Sequence, residues 1–268
     1  MDDTFQIYVN RVMGMTVPET FSSKLQNIQS SPKFRLGESG TAPLAVPFPG
    51  LTIITPSPHE DSQNAEFYSR LQAYQQSLVE ALGSSLLAPV PPESFHITLA
   101  DLIWDGAYRH ATEQPEFEEK LRDRIGEIFQ EYQPRVQSGH PLRWQVAGLL
   151  IMARAIGVSL VPKDEYSYEQ ITQLRRAIYQ NSGLIALGIE QQYHLTAHVT
   201  LGYFCDLPSD LEREETNPRL MQLTQTLTQL NDQLIETSLE FTVTRAEFRK
   251  FDDMNAYYRQ PTWPVLEF

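Results

Sequence analysis

The chain has 268 residues, 41% of them hydrophobic, with a formal net charge of −13 and one cysteine, which is ample for a buried core in one large or two small domains. Its acidic balance repels polyanions and excludes long nucleic acid duplexes, while leaving room for a local basic pocket that holds one or two phosphates. A lone cysteine excludes an internal disulfide, no apolar run reaches the roughly 18–20 residues that span a bilayer, and the acidic start lacks a signal-peptide core, so a cytoplasmic protein without membrane association is expected.

Residues 1–49 read as an extension around the core, with Pro-, Gly- and Ser-rich spacing over 29–50. A short strand is predicted at 51–54. A helix follows over 62–82, its stripe formed by Phe67, Leu71, Leu78 and Leu82 and its stop by Gly83. A strand over 95–103 comes next. His110-Ala111-Thr112-Glu113 reads as a helix start, with Thr112 as N-cap and Pro115 in the first turn. That helix is expected from about 115 to 132, and a strand over 144–152 closes the first half.

The second half repeats the order. A strand is predicted at 155–161, then a helix through Tyr168, Ile171, Leu174 and Ile178 that Asn181-Ser182-Gly183 ends. A strand over 193–204 follows, then a helix opened by Pro218 and running through Leu234. An alternating strand over 239–251 and a short one at 265–268 complete the chain. Each half is therefore strand, helix, strand, helix, strand.

The third element of each half carries the same tetrapeptide: His96-Ile97-Thr98-Leu99 and His198-Val199-Thr200-Leu201. Side chains alternate along a strand, so His96 and Thr98 share a face, as do His198 and Thr200. An imidazole beside a hydroxyl can shuttle a proton and hydrogen-bond an oxyanion, and two such pairs can address one phosphate from opposite sides. His194-Leu195-Thr196 offers a second copy just before His198, which makes His194 and Thr196 reserve candidates. His198 is preferred because an apolar residue and then Gly202 follow Thr200, closer to the first copy.

Paired His-x-Thr-apolar motifs, one per lobe of a duplicated fold, resemble the two-histidine (2H) phosphoesterases, the superfamily of RNA ligase-like cyclic phosphodiesterases. The segments 94–99 and 197–202 carry the resemblance, and Phe251-Asp252-Asp253-Met254-Asn255 resembles an uncharacterised bacterial branch of it. The resemblance implies an α+β fold: one bilobal domain over 50–268, with lobe one at about 50–153 and lobe two at about 154–268. Two small antiparallel sheets would face a central cleft, with helices outside. It also implies a metal-independent phosphodiesterase without a cofactor, hydrolysing a 2′,3′-cyclic phosphate or related diester on a small nucleotide or RNA end. His96 and His198 would be the catalytic acid and base, in either order, and Thr98 and Thr200 the phosphate-binding hydroxyls.

Trp104, Tyr203, Tyr257, Tyr258 and Trp263 are candidates for stacking on a base, although a regular strand would turn Tyr203 away from Thr200. Arg245, Arg249 and Lys250 would add positive charge near the cleft or be solvated, and Asp252-Asp253 reads as a polar turn. Two rival readings remain. One is a non-catalytic module of the same fold that binds phosphate or an RNA end. The other is a zinc site on His194 and His198, whose spacing suits a helix while the intervening residues favour a strand.

Overall fold

The computed structural model describes residues 2–37, 42–136, 139–207 and 218–268. Met1 and residues 38–41 of the expected extension lie outside these. The start of the chain is helical: α1 (Phe5–Met15) and α2 (Phe21–Leu25) precede a two-stranded ribbon of β1 (Phe34–Arg35) and β2 (Leu44–Ala45). The first half continues through β3 (Gly50–Ile54), α3 (Ala65–Leu82), β4 (Leu87–Pro89), β5 (Thr98–Trp104), α4 (Asp105–Ala111), α5 (Phe117–Tyr132) and β6 (Leu142–Ile151). The second half holds β7 (Ala155–Pro162), α6 (Glu165–Tyr179), α7 (Ser182–Ala186), β8 (His198–Phe204) and α8 (Pro218–Glu236). It ends with β9 (Glu240–Val243), β10 (Arg245–Phe251), β11 (Tyr257–Tyr258) and β12 (Val265–Glu267).

Two five-stranded antiparallel sheets result, and they are not the two halves of the chain. One sheet runs β11–β10–β3–β5, with β12 also on β10; the other runs β4–β8–β7–β6–β9. In each, the motif strand (β5 or β8) pairs with the first strand of its own half (β3 or β7). That strand then pairs with the last long strand of the other half (β10 or β6). The halves exchange strands reciprocally, so a division of lobes near residue 153 does not describe the sheets. The alternating run expected as one strand over 239–251 is the crossing point: β9 finishes in one sheet, and after Thr244 β10 begins in the other.

Several local expectations shift with tertiary context. Thr112 ends α4 as its C-cap instead of starting a helix, and Pro115 falls outside α5. Asn181 does not stop α6; its side chain accepts from the backbone N–H groups of Gly183 and Leu184 and so caps α7. The two motif strands are shorter than expected, starting at Thr98 and His198. Arg249 is not solvated, and Arg245 is only partly exposed. Arg249 is buried with Glu247, and both arginines bond that carboxylate, while Arg249 also meets Glu60.

The N-terminal segment is part of the core. Tyr8 and Val12 of α1 are fully buried, as is Phe21. The Tyr8 hydroxyl donates to the Leu160 carbonyl of β7 and accepts from Ala197 N–H, while its ring meets Trp144 edge-on and packs on Tyr168. Asp2 accepts from Arg175 Nε at 2.7 Å, Gln191 Nε2 at 3.0 Å and Leu195 N–H at 2.7 Å. The Asp2 and Arg175 side chains are 2% and 5% exposed. Removing one member of a buried ion pair leaves the other uncompensated, at a cost of about 3–5 kcal/mol. Asp2→Ala should therefore lower unfolding stability by about that amount in a denaturant titration; a loss below about 1 kcal/mol would mean the pair is dispensable.

Candidate active site

Both motif strands are bulged, and the bulges decide which side chains share a face. Across β3, Leu51 faces Ile103 but Thr52 faces Asp101, and Ile53 faces Ala100 but Ile54 faces Thr98. Leu102 and Leu99 are thus extra residues on β5. Across β7, Ile156 faces Gly202 and Gly157 faces Thr200, which leaves Leu201 extra on β8. A bulge shifts side-chain alternation by one. Thr98, Asp101 and Trp104, three apart, therefore line one cavity, and Thr200 and Tyr203 do the same from the other sheet. This corrects the expectation that Tyr203 points away from Thr200.

The bulge on β8 is held by neighbours. The Leu201 carbonyl accepts from Val90 N–H at 3.1 Å and from Gln75 Nε2 at 2.6 Å. Opposite it, Gly157 packs so close that a Cβ there would sit 2.3 Å from the Val199 carbonyl oxygen. Only a residue without a side chain fits that approach.

The cavity has a volume of about 820 Å³, and His96, Thr98, His198 and Thr200 all line it. The two histidines are held identically. His96 Nδ1 lies 2.6 Å from the Ser94 carbonyl oxygen, and His198 Nδ1 lies 2.7 Å from the Thr196 carbonyl oxygen. A carbonyl can only accept, so each Nδ1 carries a hydrogen, and the neutral ring keeps its Nε2 lone pair for the cavity. The His96 ring also packs on Tyr257, with centroids 4.2 Å apart.

Burial lowers the pKa of both imidazoles. His96 falls to about 4, mainly by desolvation, with His198, Arg249 and Lys33 opposing its charged form. His198 is also lowered by burial, but nearby Asp101 favours its charged form. The Asp101 carboxyl is itself raised by burial.

The reserve pair is placed differently. The His194 side chain is 61% exposed at the cavity rim and faces Asp3 at 3.8 Å. The Thr196 hydroxyl accepts from Arg11 at 2.9 Å, and Arg11 also donates to the Leu195 carbonyl. His194 and Thr196 precede β8, so the strand expected over 193–204 does not include them. Among the described residues, no three His, Cys, Asp or Glu side chains group as metal ligands, and no helix is long and apolar enough to cross a membrane.

Of the aromatic candidates, Trp104, Tyr203 and Tyr257 line the cavity. Trp104 lies near-parallel to Tyr193, with centroids 6.3 Å apart and planes at 21°. Tyr258 lies outside the cavity, its hydroxyl on Asp252, and Trp263 packs on Phe248. Sequence reading missed Lys33, Asp101, Arg175 and Tyr193. The spacing of three from Thr98 to Asp101 is meaningful only once the bulges are known, and nothing in the pattern of residues 1–49 points Lys33 at this cavity.

Residues 41–153 match a family model, 2H-phosphodiest, described as a domain of unknown function (DUF1868). That stretch contains His96 and Thr98. Over that stretch the chain is similar to the two-histidine phosphodiesterase family. Its fold is shared with a conserved protein of unknown function from Agrobacterium tumefaciens, at 15% identity and a TM-score of 0.56, covering 84% of this chain and 89% of that one. Escherichia coli LigT solved with 3′-AMP aligns at 15% identity and a TM-score of 0.40, over 82% of this chain and 95% of that one. Kluyveromyces marxianus Usb1 aligns at 12% and 0.42, over 82% and 98%. No curated protein matches.

The two imidazoles give this site a measurable signature. In an NMR titration His96 should protonate with a midpoint near 4 and His198 below 6.5, both as the Nδ1–H tautomer when neutral. Because the unfolded chain takes up these protons first, stability should fall as pH drops from 6.5 towards 4. Midpoints at or above the free-imidazole value would contradict the buried setting described here.

Proposed function

We propose that the protein is a metal-independent phosphodiesterase that hydrolyses a 2′,3′-cyclic phosphate, or a related diester, on a small nucleotide or RNA end. The observation that carries this reading is the matched presentation of two imidazoles, each locked through Nδ1 to a carbonyl two residues earlier, at one cavity. Identical orientation of two titrating rings suits proton transfer on both sides of a phosphorus. A phosphate-binding module would need only donors.

His96 is assigned as the base. Its surroundings oppose protonation, so its Nε2 lone pair is available to take a proton from the attacking water. His198 is assigned as the acid, because Asp101 favours its imidazolium. Water adds to phosphorus, the bond to one ribose oxygen breaks, and that oxygen receives the His198 proton. Thr98 and Thr200 donate to the non-bridging oxygens, whose charge must be held through the transfer. Chemistry needs His96 neutral and His198 charged, a combination that requires a pH above about 4 and below the His198 midpoint, which burial lowers. kcat/KM should therefore be highest on the acid side of neutrality.

The test is hydrolysis of 2′,3′-cyclic nucleotides and a panel of other diesters in the presence of chelator. His96→Ala and His198→Ala should each lose about 10²–10⁴-fold in kcat/KM, and Thr98→Val and Thr200→Val about 10²–10³-fold. His194→Ala should stay close to wild type. Full activity in both motif-histidine variants would end the catalytic assignment. Absence of turnover by the wild type on every diester, with nucleotide binding retained, would leave the binding module.

A further inference from the structure

We infer that the N-terminal segment supplies a binding residue to this cavity: Lys33 is a cationic seat for a phosphate oxygen of the substrate. The inference rests on the phosphoester reading above and adds a contact that the two His-x-Thr motifs do not contain.

The position of Lys33 is set by backbone and ring contacts on both sides of it. Ser31 N–H donates to the Phe204 carbonyl at the end of β8, at 2.7 Å, and Val46 N–H donates to the Lys33 carbonyl at 2.9 Å. Phe34, the next residue, stacks on Tyr203 with centroids 5.4 Å apart. The Lys33 side chain is thereby directed between two aromatic faces, its Nζ 4.6 Å from the Phe48 centroid and 5.0 Å from that of Tyr203. Both rings line the cavity, as Lys33 does.

The ammonium there is under-partnered. Among the described residues its hydrogen-bonding contact is the Tyr203 hydroxyl at 3.5 Å, a long one, and no carboxylate lies within ion-pair distance. The other cation well inside the cavity is already engaged: Arg175 donates to Asp2, to the Leu99 carbonyl and to the Tyr193 carbonyl. Lys33 is also near enough to oppose protonation of both His96 and His198. Lys33, His96 and His198 line the same cavity, so a phosphate seated between the imidazoles has this cation on the same cavity wall. Ammonium is a strong charge-assisted donor to phosphate oxygen, and aromatic faces hold it without neutralising it.

The groups facing Lys33 are Asp101 from β5, His198 and Tyr203 from β8, and His96 before β5. Burial lowers the lysine to about 8, partly offset by Asp101. Both histidines are lowered and so neutral above pH 7, while Tyr203 is raised and stays protonated. Loss of the lysine charge is thus what should weaken anion binding near pH 8.

Calorimetric binding of 3′-AMP, inorganic phosphate and adenosine to the full-length protein tests this. At pH 7, Lys33→Met should weaken 3′-AMP and phosphate about ten- to a hundredfold and leave adenosine unchanged, with Lys33→Arg restoring most of the affinity. Wild-type affinity for 3′-AMP should decline as pH rises through about 8, and this decline should vanish in Lys33→Met. Equal phosphate affinity in wild type and Lys33→Met, or no phosphate binding by the wild type, would overturn the inference. Unfolding curves for Lys33→Met and Lys33→Gln separate a folding defect from loss of the contact. Wild-type hydrolysis with unaltered kcat/KM in Lys33→Met would reject the lysine role and leave the phosphodiesterase reading standing. Lysine-dependent phosphate binding without hydrolysis would do the reverse.

Discussion

One buried guanidinium holds together the parts that make the cavity. Arg175, on α6, donates to the Leu99 carbonyl in the first motif strand, to the Tyr193 carbonyl in the approach to the second, and to the Asp2 carboxylate. These three partners come from one motif strand, from the loop before the other and from the N-terminal segment. A guanidinium suits the task because its donors are fixed in one plane and its charge is permanent. Burying it is unfavourable unless every donor finds a partner, and Asp2 provides the compensating charge. Registration between the two motifs therefore depends on a residue that belongs to neither.

The N-terminal segment extends this role. Asp2, Tyr8 and Arg11 bond the backbone or side chains of Leu195, Thr196 and Ala197 in succession, and the Thr196 carbonyl then orients His198. At the first motif the Thr55 hydroxyl accepts from Ile97 N–H, and Arg175 of the other half donates to the Leu99 carbonyl. The two motifs are matched at the cavity and differ in how they are supported. Asp2 and α1 thus form part of the scaffold of the second motif.

The strand exchange and the bulges are coupled. Because β10 and β6 each sit on the far side of the central strand of the other half, neither sheet can form without both halves. The bulges then turn every third residue of the motif strands inward, adding Asp101, Trp104 and Tyr203 to the four motif side chains. An unpaired extra residue carries backbone groups that need partners. Gln75 on α3 and Val90 satisfy the one at Leu201.

The order and type of the main elements, the helix stripes and the two His-x-Thr pairs were readable from the chain, because each arises from spacing within a single segment. Phe67, Leu71 and Leu78 face one way in any helix, and His96 and Thr98 stay together across one intervening residue. Partner choice was not readable. That β10 leaves the sheet of β9, that Asn181 starts a helix, and that Tyr203 faces the cavity all depend on hydrogen bonds to residues far away in sequence. The same holds for the extension, whose composition suggested a wrapping segment while its packing made Tyr8 a core residue. The amino-acid sequence by itself determined which chemistry is on offer, since side-chain identity and local periodicity are properties of a short stretch of chain. The tertiary structure alone decided which groups share the cavity, because strand pairing, bulge placement and the compensation of a buried charge are settled only when distant segments meet.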